Sequence, residues 1–541
     1  MPEHSQGRTR QSAIGRDLSQ SLLALLRSLS QQPCHHADYL LQTLGKALQA
    51  LLGQLDIDVP EGDPRFSHPG WQATMPQRIL QLWYAWQQPL NAWLNGLEMA
   101  EHERAQLRWL LEQVAAAAAP SNSLLNPEVL DAARQSRGHS LCRGAHNLWT
   151  DLASGRPFAQ PNLDTRHLLG RDIACSPGQV IARHAEFELL CYQPLTDRVH
   201  NTPLLIVPPP INRFYLLDLT PDTSLIRHAL QQGLQVYLIS WRNPNPSHCN
   251  WGLGRYVSAS QRALSECLQH SASPQATLTG VCSGGLIAAL LCAWQQAAGR
   301  PSQLNALSLL VTPLDTRLQT DLMRLSGPAT RQRLRQRVWR DGYLDARSSG
   351  ALFGWMRPEQ LVWIPAVTRY GLGRELKDCP VSTWGHDHTR LPAQLVEDLL
   401  DLFDRDPLGQ PGSLQLNGEA IDLSAVTLPS WHLAARRDHI VPWQNTYPGT
   451  RLGGEKVFNL CHSGHIQGLL CPPGHPRAHF QHGQVTCASA DAWLATAEAQ
   501  QGSWWLAWTG WLKRYSGDLI SAPTHADGGH GPAPGQYVQQ Q

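Results

Sequence analysis

The stretch ATLTGVCSGGLIAALLCAWQQAAG, residues 276–299, decides how this chain is read. ATLT is a short apolar, β-branched lead-in that suits a buried strand, and from Leu286 onward the pattern is that of a helix. Between them GVCSGG, Gly280–Gly285, is a G-x-nucleophile-x-G arrangement with one further glycine, and with cysteine where serine is usual. A strand that turns sharply into a helix holds the residue at the turn in a strained conformation, and small neighbours let the backbone approach itself. The positive end of the following helix then favours a thiolate or an oxyanion at Cys282. A thiol needs less activation than a hydroxyl and exchanges with a thioester at little thermodynamic cost. The cysteine therefore points to acyl transfer from a thioester.

Working outward, FELLCY (187–192), PLLIVPP (203–209), QVYLISW (235–241), TLTGV (277–281) and LNALSLLV (304–311) are short apolar runs. Helical stretches lie between several of them: SLIRHALQQG, the 256–270 region and LIAALLCAWQQAAG. Strands separated by helices at this spacing predict βαβ units around a mainly parallel sheet, an α/β fold. The strand pattern breaks over 318–425, an Arg- and Trp-bearing insertion predicted to act as a cap or lid, and resumes at LPSWHLAARRDHIVPW and KVFNLCHSGHIQG. The catalytic core is thus expected at 179–317 and 426–517. Upstream, residues 21–178 repeat apolar positions at three-and-four spacing and predict a mainly helical N-terminal domain. Residues 1–20 read as disordered, and the Gly/Pro-rich tail 518–541 as irregular.

Two downstream segments supply partners for Cys282. Asp438 follows the predicted strand SWHLAA, and His465 follows VFNL. Nucleophile, acid, histidine is the chain order of an α/β-hydrolase triad, each member at the exit of a core strand. His465 is the expected general base, and Asp438 is expected to hold its tautomer and stabilise the imidazolium. For the oxyanion, one backbone donor is expected at Ser283 and a second in the loop PPPINRF, residues 208–214. Proline has no N–H to give, so Ile211 is the better candidate than Pro209 or Pro210. His439 and His462 neighbour the acid and the base, and both read as surface or supporting histidines. Cys461, His462 and His465, or the HDH at 386–388, suggest metal at first sight, but neither group has a matched second pair and HExxH is absent. No cofactor is expected.

Composition narrows the classes. Across 541 residues, 44 Lys+Arg stand against 43 Asp+Glu, a formal charge of +1, so no global field favours nucleic acid or acidic lipid. Only 16% of residues are charged while tryptophan reaches 20, which demands a large aromatic core or an apolar interface. The twelve cysteines are scattered without zinc-ribbon or thioredoxin spacing. The N-terminus lacks a signal-peptide core and no apolar run is long enough to span a bilayer, so a soluble, reduced, cytoplasmic protein with mostly buried cysteines is expected.

The chain resembles the polyhydroxyalkanoate synthases, polyester polymerases of bacterial storage granules. The resemblance runs from DPRFSHPGW (63–71) through SNSLLNPEVL, LLIVPPPINRFYLLDL, LISWRNP, GVCSGG, GYLDARSSGALFGWMRP, AARRDHIVPWQNTY and SGHIQGLLCPPGHPRAHF to SWWLAWTGWL. WGLGRYVSA and the closing APGQYV are similar to the single-subunit pseudomonad-type enzymes, which favour medium-chain (R)-3-hydroxyacyl-CoA. Carried over by motif, the family's cysteine, aspartate and histidine fall on Cys282, Asp438 and His465. The resemblance further implies a lipase-like core with a mobile cap, a homodimer, attachment to the granule and its growing polyester chain, and granule-associated protein partners. Departures lie elsewhere. The family segment WNxDxTRLP reads WGHDHTRLP (384–392), VWIPAVTRYGLG replaces an Asn-rich stretch, and PPPINR stands where PPWINK or PPQINK is usual. Trp384, Asp387 and Arg390 are candidate substrate or cap contacts, Arg390 for the phosphates of CoA. Two other readings compete: a cysteine-dependent acyl-CoA thioesterase with the same triad, and a noncatalytic granule-associated protein.

Overall fold

A computed structural model describes residues 13–55, 63–154, 167–317, 320, 326–346, 348, 350, 358–376, 379–523 and 529–540. The chain divides into two compact units, one of 1–164, 321–334 and 351–378 and the other of 165–320, 335–350 and 379–541. The segment 318–425, read above as one insertion, is therefore shared between them.

The first unit is helical: α1 (Ala13–Gln31), α2 (Pro33–Leu52), α3 (Thr74–Ala85), α4 (Leu90–Asn95), α5 (Glu101–Ala117), α6 (Pro127–Gln135) and α7 (His139–Ala153). Helix α1 already begins at Ala13, inside the segment read as disordered; residues 1–12 lie outside the described residues. Leu90, Trp93, Leu94, Leu97 and Leu107 form one core cluster, and Trp71, Leu80 and Trp83 another. Leu22, Leu23, Leu26 and Leu29 on α1, and Leu40, Leu41, Leu44, Leu48, Leu51 and Leu52 on α2, stay exposed. Each helix thus keeps apolar surface that its own unit does not bury.

The second unit is built on a ten-stranded sheet: β1 (Gly178–Arg183), β2 (Phe187–Tyr192), β3 (Leu204–Val207), β4 (Val236–Trp241), β5 (Ala276–Val281), β6 (Leu304–Leu310), β7 (Ser430–Ala435), β8 (Lys456–Cys461), β9 (His479–Gln484) and β10 (Glu498–Gln501). Their order is β1-β2-β4-β3-β5-β6-β7-β8-β9-β10. The six central strands, β4 through β8 in that order, pair in parallel, and the two at either edge pair antiparallel. Every residue of β2, β3, β4, β5 and β7 is buried, which is why these runs are mainly apolar and lack regular polar alternation.

Helices α8 (Leu225–Gln231), α9 (Leu253–Ser271) and α10 (Ser283–Ala297) connect the parallel strands. Helix α9 buries Leu253, Tyr256, Val257, Ala263, Leu264 and Cys267 on one face. Helix α10 is buried from Ser283 through Gln295, consistent with an apolar surface on all sides. The tail is ordered where it is described: Leu519–Ser521 pairs with Arg198–His200, and the chain then runs beside β1, Val180 donating to Gly531 O at 2.9 Å and Ala533 to Gly178 O at 2.9 Å. Its Gly- and Pro-rich backbone forms turns and bends along that edge, and Tyr537 and Val538 are buried there.

Candidate functional site

Cys282 sits at the turn between β5 and α10 with φ 53° and ψ −124°, a region that residues with a Cβ avoid. Its N–H donates to Leu310 O of β6 at 2.8 Å, tying the turn to the neighbouring strand. The turn is tight enough that a Cβ on Gly280 would lie 2.4 Å from Cα of Gly285. One on Gly284 would lie 2.3 Å from Val207 O and 2.4 Å from Pro208 O, so the elbow touches the loop leaving β3. The glycines flanking the cysteine are what permit both approaches. The cysteine itself is half-buried against the main core.

Asp438 follows β7 and His465 follows β8, adjacent parallel strands, so both residues leave the sheet at the same end. His465 Nδ1 lies 2.5 Å from Asp438 Oδ2, with both side chains almost wholly enclosed. The Cys282 side chain also acts on this imidazole, favouring its protonated form. Burial alone would lower the His465 pKa, but the Asp438 carboxylate and Cys282 outweigh it and raise the value to about 10. The second Asp438 oxygen accepts the N–H groups of Ile440 and Val441, each at 2.9 Å, which fixes the carboxylate independently of the histidine. An imidazole held between a carboxylate and a thiol can move a proton to or from sulphur without leaving its place.

Ser283 opens α10, so its N–H belongs to the first turn, where helix donors have no partner within the helix. In the facing loop Pro208, Pro209 and Pro210 have no N–H, and that of Asn212 donates to Thr389 Oγ1 at 2.8 Å. Ile211 is left as the residue of 208–212 with an uncommitted donor. The three candidate substrate contacts have their polar groups engaged within this unit. Trp384 Nε1 donates to Arg213 O at 2.8 Å. Asp387 accepts from Tyr215 Oη at 2.8 Å and from Arg213 Nε at 3.2 Å. Arg390 donates to Pro244 O at 3.3 Å and lies over the Tyr343 ring.

His462 is exposed, with Nε2 3.1 Å from an Arg437 guanidinium nitrogen. Among the described residues no group of three or more His, Cys, Asp or Glu is placed to hold a metal ion, and no helix is long and apolar enough to cross a membrane. Cys191, Cys267, Cys292, Cys461 and Cys471 are buried, and Cys34, Cys142 and Cys379 are exposed. Fewer than half of the cysteines thus behave as core residues: Cys34 and Cys142 lie on outward helix faces, and Cys379 just before a helix.

Sequence reasoning passed over two supports of the site. His465 begins a short helix, His465–Leu469, whose last carbonyls are held by indoles: Trp504 Nε1 donates to Gly468 O at 2.7 Å and Trp505 Nε1 to Leu469 O at 3.0 Å. The tryptophan-rich run SWWLAWTGWL was the available signal. Thr389 is the other, and only its place in WGHDHTRLP marked it.

Over 531 residues the chain is 37% identical to poly(3-hydroxyalkanoate) polymerase 2 of Ectopseudomonas oleovorans, a span covering 97% of this chain and 95% of that protein. The chain belongs to the poly(3-hydroxyalkanoate) polymerase family. Polymerase 1 of the same organism is 35% identical over 533 residues, 97% of this chain and 95% of its own. The polymerase subunit PhaC of Cupriavidus necator is 32% identical over 503 residues, 90% of this chain and 85% of its own. Residues 62–229 match the family described as poly-beta-hydroxybutyrate polymerase (PhaC) N-terminus, and residues 218–470 match the alpha/beta hydrolase fold. That second span contains Cys282, Asp438 and His465. Among solved structures, a putative lipase from Sulfolobus solfataricus aligns over 54% of this chain and 93% of its own at 13% identity and a TM-score of 0.35, too loose a likeness to bear on chemistry. Membership in the polymerase family brings with it the reaction type, polymerisation of acyl-CoA thioesters.

Proposed function

We propose that this polymerase converts (R)-3-hydroxyacyl-CoA of medium chain length into polyhydroxyalkanoate, releasing CoA, through an acyl group carried on Cys282. The observation that carries the reading is the buried Asp438–His465 pair, whose proton affinity is also raised by Cys282 at a strained strand-to-helix turn. The Cys282 thiolate attacks the thioester carbonyl, the oxyanion is met by the N–H groups of Ser283 and Ile211, and the C–S bond to CoA breaks. The proton held by His465 goes to the departing CoA sulphur. In elongation His465, oriented by Asp438, removes the proton from a 3-hydroxyl as that oxygen attacks an acyl-sulphur carbonyl. An ester bond forms, the acyl C–S bond breaks, and the proton passes to the released sulphur.

A medium-length acyl chain offers about 0.8 kcal/mol for each CH₂ removed from water, which favours substrate over free CoA at an apolar site. The exposed leucines of α1 and α2 suit attachment to a polyester granule or to a second copy of the chain, in the cytoplasm. The purified chain is expected to release CoA from 3-hydroxyacyl-CoA and to yield solvent-extractable polyester, most rapidly with medium acyl lengths. Release of CoA with only free hydroxy acid as the other product would replace this reading with a thioesterase. Cys282→Ala should abolish both products while the chain stays folded.

A further inference from the structure

The loop that faces the nucleophile contains a contradiction. Asn212 has φ 108°, a conformation that a residue with a Cβ adopts only when its surroundings enforce it. Its side-chain Oδ1 is buried without a hydrogen-bond partner. Left to itself this loop would relax, so something must hold it.

The holder is Thr389. Its single hydroxyl accepts the Asn212 N–H at 2.8 Å and donates to the Pro210 carbonyl at 3.0 Å. These two backbone groups lie on either side of Ile211. In a trans peptide the C=O and N–H of one plane point in opposite directions. Fixing the oxygen of Pro210 therefore fixes the direction of the Ile211 N–H, which belongs to the same plane and points away from Thr389. Fixing the Asn212 N–H does the same for the next plane. One buried hydroxyl thus sets the orientation of the one donor in 208–212 that is not already spent.

Beyond Thr389 the loop is clamped at Arg213, which is only 4% exposed. Its guanidinium meets Asp387 Oδ1 at 3.2 Å and Tyr537 O at 3.3 Å, and also donates to Gln540 O. The tail is itself anchored, Gln536 and Tyr537 each donating a backbone N–H to the buried Glu188 carboxylate at 2.8 Å. A guanidinium in this setting has one carboxylate and two carbonyls arranged around its fork, a geometry that lysine cannot reproduce. The loop is secured by a segment about 175 residues downstream and by the end of the chain.

We infer that Thr389 is a positioning residue for acyl transfer: its hydroxyl aims the Ile211 N–H at the oxyanion, with Arg213 and the C-terminal segment 536–540 clamping the same loop. The inference rests on the acyl-cysteine reading above. It gives the conspicuous TRLP of WGHDHTRLP a task that does not involve touching substrate.

The test compares the full-length wild type with Thr389→Val, which keeps the shape and removes the hydroxyl, and Thr389→Ser, which restores it. Two readouts separate positioning from simple support of the fold. Thioester cleavage, followed as CoA release from 3-hydroxyacyl-CoA, needs the oxyanion donors. Alkylation of Cys282 by iodoacetamide needs the thiolate and its histidine but forms no oxyanion. Thr389→Val is expected to lower kcat by about tenfold to a hundredfold, part of the effect of losing a whole oxyanion donor, with KM and the alkylation rate within about twofold of wild type. Thr389→Ser should recover most of kcat. If Thr389→Val does not fold, Arg213→Lys is put through the same two assays with the same expectation. Normal kcat in the variant, or a parallel fall in CoA release and alkylation, would overturn the positioning role. A wild-type chain that releases no CoA at all would instead bring down the reading on which it rests.

Discussion

Asp438 divides its two carboxylate oxygens between backbone and side chain: Oδ1 takes the Ile440 and Val441 N–H groups, and Oδ2 takes His465. The acid is therefore locked before the histidine arrives, and the imidazole is oriented by something that cannot turn. This explains how a buried ring whose proton affinity should fall instead holds its proton up to about pH 10.

Asp438→Asn keeps the shape of that arrangement and removes its charge. The His465 pKa should fall toward or below the ordinary value of 6.5, observable by NMR of the ring in selectively labelled protein. Acyl transfer should drop by about two to four orders of magnitude in kcat. Stability follows from the same proton. The folded chain releases it near pH 10 and the unfolded chain near 6.5, so the stabilisation is complete below 6.5 and is lost as pH climbs through 10. Urea midpoints measured across that window should slope downward in wild type and flatten in Asp438→Asn; equal slopes would show that the carboxylate does not govern the ring.

The strain at Cys282 makes a prediction that owes nothing to chemistry. Its φ of 53° with ψ −124° is open to glycine and costly for every other residue. Cys282→Ala and Cys282→Gly both remove the sulphur, yet only the second relieves the turn. Cys282→Gly is expected to be more stable than Cys282→Ala by about 1 kcal/mol, after allowing for the greater freedom of glycine in the unfolded chain. Denaturation midpoints decide it: an alanine variant equal to or above the glycine variant would mean that the elbow is not strained.

The parts of this molecule that were legible in its sequence are those in which local pattern and burial coincide. Strands such as SWHLAA are buried along their whole length, so apolar residues predominate in them and the polar ones, Ser430 and His432, bond to each other. GVCSGG announced a turn because its glycines are needed for backbone contact within a few residues. Asp438 and His465 come together because adjacent parallel strands deliver their C-terminal ends to one edge of the sheet. What was not legible depends on partners far along the chain. No period or motif links Thr389 to Pro210, Arg213 to Tyr537, or Trp504 to Gly468. For the same reason the sequence of the tail shows its irregular backbone but not the strand edge that receives it.

Two glycines should respond in opposite ways to alanine. At Gly284 a methyl group would meet the Val207 and Pro208 carbonyl oxygens at 2.3 and 2.4 Å, backbone atoms that cannot step aside. Gly284→Ala should destabilise by about 1–3 kcal/mol, the usual range for an overpacked core, and should lower acyl transfer by displacing the loop that carries Ile211. Gly385 lies within the helix Pro380–His386 and has nothing within 4 Å of an added Cβ. Gly385→Ala should raise stability by about 0.5–1 kcal/mol through helix propensity and leave kcat unchanged. Thermal midpoints and CoA release on both variants check the pair, and a destabilised Gly385→Ala would contradict the packing described.

The tryptophans after β10 separate support of the site from support of the core. Trp504 and Trp508 lie four residues apart on the helix Trp504–Lys513, both essentially unexposed, and each donates its indole N–H to a buried acceptor. Trp504 gives to Gly468 O, in the short helix that His465 begins, whereas Trp508 gives to Ser308 Oγ on β6 at 3.0 Å. Replacing either by phenylalanine leaves an acceptor unpaired and shrinks a packed ring, so each should cost about 1–3 kcal/mol of stability. Their effects on turnover should differ. Trp504→Phe loosens the helix that holds the imidazole against Asp438 and should reduce kcat severalfold, while Trp508→Phe, assayed below its melting range, should leave kcat near wild type. Equal losses of kcat at equal losses of stability would show that the indole of Trp504 merely fills space.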